Sequence, residues 1–164
     1  MTRIKTAALL ALAALLSAFL PGLSVSSAES LTAIQVVNYE ASASVLGAPL
    51  LSDALALRQS DGMVLYDFPE GLELIFSLDE SRNITYGAVC AKDDRPAAAF
   101  LASCMAMINF LHGDVPDLRV YGQLLLNYSR FRKGVASDPF HIGLDACQVS
   151  SNETFPFVFV YLKR

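Results

Sequence analysis

Between Pro96 and Leu111 runs the segment AAAFLASCMAMINFL, in which only Ser103 and Asn109 are polar. Its ends read as those of a helix. Asp93 and Asp94 precede it, near the positive end of the helix dipole, and Pro96 suits a first helical turn. His112 and Gly113 close it, the imidazole meeting the last carbonyls and the glycine accepting a left-handed cap. A helix that is apolar all round has no hydrated face and must be buried on most sides. The rest of the chain therefore wraps this helix, or another chain covers it. It is accordingly the candidate surface for a homodimer or a protein partner.

The flanking segments supply the wrapping. Met63–Phe68, Leu72–Leu78 and Ile84–Ala91 are strand-like runs separated by Pro69-Glu70-Gly71 and by Asp79–Asn83, the pattern of an antiparallel meander. In the third run Ile84, Tyr86, Ala88 and Cys90 share one face and Thr85, Gly87, Val89 and Ala91 the other. Upstream, the β-branched stretch Leu31–Tyr39 reads as a first strand. Pro49 then opens a short helical pattern through Leu50, Leu51, Ala54, Leu55 and Arg58, with Asp61-Gly62 as its stop. Downstream of the turn 114–117, Leu118–Lys133 reads as a second long helix, with Leu118, Tyr121, Leu125, Tyr128 and Arg132 on one stripe and Gly134 as its stop. Phe140–Val149 and Thr154–Leu162 complete a hairpin around Ser150–Glu153. The last strand is apolar on both faces and belongs inside the sheet. The implied fold class is α+β: an antiparallel sheet of about five to six strands with two main helices packed on one face.

The N-terminus has a different character. Arg3 and Lys5 precede an Ala/Leu run from Ala7 to Leu20. Pro21-Gly22 breaks that run, and small residues follow at Ser24–Ala28. This is the tripartite pattern of a cleavable secretory signal, residues 1–28, with Ser26 and Ala28 suiting signal peptidase. The run of about 14 residues falls short of the ~20 that cross a bilayer, so no stable membrane span is expected after cleavage. Residues 29–164 are then a single domain, exported to the periplasm or secreted. Removing the signal takes two of the twelve basic residues and none of the sixteen acidic ones, moving the net charge from −4 to −6. An acidic chain repels phosphate backbones, so nucleic acid is not expected as a partner.

Three cysteines, Cys90, Cys104 and Cys147, would meet an oxidising compartment. Cys104 sits mid-helix among Phe100, Met105 and Met107 as an inert buried thiol. That leaves Cys90 and Cys147 as the candidate disulfide. No C-x-x-C occurs. Three glycosylation sequons begin at Asn83, Asn127 and Asn152, and they have meaning only in a eukaryotic secretory pathway.

Candidates for chemistry are few. His141, Asp145 and Cys147 lie on alternate positions of one strand-like run, but His141 and Asp145 would start about 13 Å apart at ~3.3 Å per residue. His112, the only other histidine, is explained as a helix cap. No H-E-x-x-H or H-x-H spacing marks a metal site, and no nucleotide or cofactor fingerprint is present. The stripe Phe155, Phe157, Phe159 and Tyr161 is a candidate contact for an apolar ligand or partner, or else core beneath the helices. Abundant apolar surface with little convergent polar chemistry points to a small exported binding or accessory protein without catalysis. The alternatives are a small hydrolase joining His141 or His112 to distant carboxylates, and a structural homodimeric domain.

Overall fold

The computed structural model describes residues 30–113 and 117–164. Residues 1–28, read above as a signal, lie outside them, as do residues 114–116 of the turn between the long helices. The elements run α1 (Ala33–Leu46), a 3-10 turn (Leu51–Asp53), β1 (Ala56–Ser60), β2 (Met63–Asp67), a 3-10 turn (Pro69–Gly71), β3 (Leu72–Leu78), β4 (Ile84–Ala91), α2 (Ala97–His112), α3 (Leu118–Arg132), β5 (Phe140–Ile142), β6 (Asp145–Ser150) and β7 (Phe157–Leu162). One antiparallel sheet carries all seven strands in the order β1-β2-β3-β4-β7-β6-β5. The class is α+β, with three described helices and seven strands rather than two main helices and five to six strands. No described helix is long and apolar enough to cross a membrane.

The two extra strands come from turns. Asp61-Gly62 does not stop a helix. Both residues take positive φ, 46° and 75°, as a two-residue hairpin turn requires, and they fold β1 back on β2 with Ser60 opposite Met63. The run Phe140–Val149 is likewise broken. Gly143 adopts φ 60°, Leu144 turns out to solvent at 78 % exposure, and Ile142 pairs with Asp145 across the turn.

The first segment, read as a strand, is helix α1. Thr32 and Gln35 form a reciprocal capping box: the Thr32 hydroxyl accepts from the Gln35 N–H and the Gln35 side chain accepts from the Thr32 N–H. Gly47, in the left-handed conformation, ends the helix. Tyr39 and Ala43 on its inner side are fully buried. The Tyr39 ring meets Phe76 of β3 and Phe110 of α2 edge-on, at 5.9 and 5.8 Å. β-branching at Ile34, Val36 and Val37 favours a strand only weakly, and the cap together with this packing overrides it.

Helix α2 holds the position that its composition demands. It packs on α1, meets α3 through Phe100 with Tyr128 and Asn109 with Tyr121, and lays its underside on β4 and β7, and Ala98 is its only exposed residue. At the closest approach Gly87 of β4 leaves room for Met107 and Leu111. A Cβ there would stand 2.5 Å from Met107 Sδ and 2.8 Å from Leu111 Cδ1. Helix α3 buries Leu124, Asn127 and Tyr128; of the predicted stripe Tyr128 is buried, whereas Leu118 is 82 % exposed. Phe157 of β7 joins Phe100, Tyr128 and Phe131 in an aromatic cluster under α2 and α3. All three helices contribute to one core with one face of the sheet.

Candidate functional site

The opposite face of the sheet forms a second apolar cluster: Leu65 of β2, Ile75 of β3, Tyr86, Ala88 and Cys90 of β4, and Val158 and Val160 of β7, with Phe155 and Met63 at its margin. The alternation of the four central strands builds it, and register places Ile75 opposite Ala88 and Ala88 opposite Val160. A bulge between Ser77 and Leu78 shifts pairing so that Leu78 faces Ile84. Ile84 thereby joins the helix-side core rather than the face of Tyr86. No residue of the three described helices belongs to this second cluster. Four strands at ~4.8 Å spacing make the strip about 14 Å wide, and Tyr86 to Cys90 spans about 13 Å along it.

One end of the strip is charged and internally compensated. Glu73, opposite Cys90, is buried, and its carboxylate receives Lys92 Nζ at 3.2 Å and Arg58 Nη2 at 3.5 Å. Arg58 also lies 3.7 Å from Asp67. Burial, and then the nearby Glu73 charge, push the Cys90 thiol well above its ordinary value, so it is held protonated and unreactive. Burial likewise raises the Tyr86 phenol, and among the described residues its hydroxyl has no hydrogen-bond partner.

The residues singled out for chemistry do not converge. His141 lies on the face opposite Phe140 and Ile142, and its Nδ1 is 3.2 Å from the backbone carbonyl of Asp145. The Asp145 carboxylate turns to the helix side, where Tyr161 donates to Oδ2 and the Arg164 N–H donates to Oδ1 at 2.8 Å. Burial, and then the hydrogen bond and charge of Asp145, raise the Tyr161 phenol far above its ordinary value. His112 sits in the last turn of α2. Neither histidine pairs with a carboxylate among the described residues, and no three His, Cys, Asp or Glu side chains there are grouped to hold a metal ion.

The aromatic stripe divides. Phe159 and Tyr161 are wholly buried in the helix-side core and Phe157 is half-buried beside them, while Phe155 precedes the strand and packs into the opposite cluster. Cys90 and Cys147 are not bridged; all three cysteines are free and buried. The geometry forbids that pair, because β7 lies between β4 and β6 and the two side chains project to opposite faces. Among the sequons, Asn127 is buried in α3 and its side chain donates to the Gln123 carbonyl. The Asn152 side chain accepts from the Thr154 and Phe155 N–H groups. The helix-free face carried only a faint signal in the sequence: it is visible once both faces of β4 and β7 are known to be apolar. The chain matches no protein-family model, no curated protein and no solved structure.

Proposed function

We propose that this protein is an exported binding module without catalysis, and that its contact surface after signal removal is the helix-free face of the sheet. One observation carries the reading: a contiguous apolar cluster across four central strands, with none of the described helices packed on it. A patch of this kind on a mature domain marks a site of interaction. Its width of about 14 Å suits a single helix, whose diameter with side chains is about 10–12 Å, so the favoured partner presents one apolar helix face. Neither His112 nor His141 pairs with a carboxylate among the described residues, and the Asp145 carboxylate is engaged by Tyr161 and the Arg164 N–H, so a hydrolase reading has no comparable support.

The test uses residues 29–164 and the apolar dye 8-anilinonaphthalene-1-sulfonate. The folded chain should bind the dye saturably. Ala88→Glu, at the centre of the strip, should weaken the dye at least tenfold while retaining a cooperative thermal transition, because no described helix packs on that face. A chain that binds no dye, or an Ala88→Glu variant that cannot fold, would show the face to be closed core and would sink the proposal.

A further inference from the structure

The outer side of helix α3 is a surface of a different kind from the helix-free face of the sheet. We infer that it docks on a membrane rich in anionic phospholipid, its leucines entering the headgroup boundary while its cations meet phosphate.

The helix supplies more leucine than the core takes. Leu124 and Tyr128 face inward and join the helix-side core. Leu118, Gly122, Leu125 and Ser129 recur at helical spacing on another side, with Leu126 beside them. Leu118, Leu125 and Leu126 are exposed, and exposed Val135 carries the apolar surface past the end of the helix.

Charge identifies what covers it. Residues 118–133 hold Arg119, Arg130, Arg132 and Lys133 and no acidic residue, in a chain whose net charge is −4. Arg130 and Lys133 have no carboxylate partner among the described residues. Arg119 and Arg132 reach Asp117 and Asp94 at 3.8 and 3.2 Å, in exposed pairs that hold little energy and that a phosphate can displace. Near the end of the helix Tyr128, Ser129, Arg132 and Lys133 line a recess of about 360 Å³. A phosphate seated there meets two cations and a hydroxyl, and these cations with Arg130 outweigh the roughly half negative charge of the helix's C-terminal end. Screening limits the reach of the chain's other charges to about 8 Å at physiological salt, so the local sign governs the contact. Leucines and cations without acid are the composition of a helix lying in a bilayer interface. An acidic protein surface would pair the cations but leave the three leucines against charged groups.

The chain has no tryptophan, so Leu126→Trp puts a single emitter on this surface, and its signal does not report lipid contact made elsewhere. The full chain 1–164 carrying it is mixed with vesicles of phosphatidylcholine and phosphatidylglycerol in equal parts, and separately with vesicles of phosphatidylcholine alone. Emission should move to the blue with the anionic vesicles only, and added salt should reverse the move. Adding Arg130→Gln and Lys133→Gln should raise the lipid concentration at half the shift by about tenfold. These positions are all exposed, so the variants should melt as the parent does. Leu125→Trp, on the same surface, serves as the emitter if Leu126→Trp does not fold. No shift with either vesicle, or an equal shift with both, overturns the inference. A shift that soluble polyglutamate produces and vesicles do not would assign the surface to an acidic protein, and overturns it too. So does a shift that grows with protein concentration in the absence of lipid, which would assign the surface to a second copy of the chain.

Discussion

Gly87 shows how one missing side chain sets the distance between layers. A Cβ added there would press on the ends of Met107 and Leu111, both buried in the core. Gly87→Ala should therefore destabilise the chain by about 1–3 kcal/mol through overpacking. Adding Met107→Ala should cost less than the sum of the two single changes, as a double-mutant cycle in urea would read. Three buried tyrosines, Tyr39, Tyr86 and Tyr161, define the alkaline limit at the same scale. Burial raises their phenols, with Asp145 adding to the shift at Tyr161. The unfolded chain ionises near pH 10 while the folded chain holds these protons. Their stabilisation is thus complete below pH 10 and is lost as the pH climbs above it. Melting temperatures should fall steeply from pH 10 to 11, and Tyr161→Phe should lessen the slope. None of this was legible beforehand: a glycine in a strand and a tyrosine in a stripe look alike whether or not another layer lies above them.

Helix α1 is the instructive element. Its sequence alternates enough β-branched residues to resemble a strand, while its start and stop signals, T-x-x-Q at Thr32–Gln35 and Gly47, are those of a helix. The end signals prevail because a cap satisfies orphan backbone N–H groups outright, whereas β-propensity is worth little without a neighbouring strand. Thr32→Ala should cost about 1 kcal/mol, measured by denaturant titration, with Thr32→Ser close to wild type. The central helix and the β2–β3–β4 meander followed from the sequence almost residue for residue, since composition in the first case and short turns in the second leave few alternatives. The stripe on α3 did not. Leu124 and Tyr128 are buried while Leu118 and Leu125 are exposed, a rotation that depends on where β6 and Phe157 lie.

Across the whole molecule, sheet order decides which residues meet. β7 returns to lie beside β4, separating Cys90 from Cys147 and turning their side chains to opposite faces. The protein purified without reductant, then unfolded and alkylated, should gain three carbamidomethyl groups by intact mass. A gain of one would mean that two of the three thiols are bridged. The same order places four central strands under one apolar strip on the side that no described helix occupies, and so creates the candidate site.

Sequence by itself determined the buried central helix, the antiparallel meander and the α+β class, because these depend on local periodicity, capping and turn chemistry within a few residues. It also made plain how little polar chemistry the chain holds. Only the tertiary structure decided the seven-strand order, the failure of Cys90 to meet Cys147, and the existence of a second apolar face. Each is a matter of which distant strands lie side by side, and residues far apart in a chain carry no mark of that until the sheet closes.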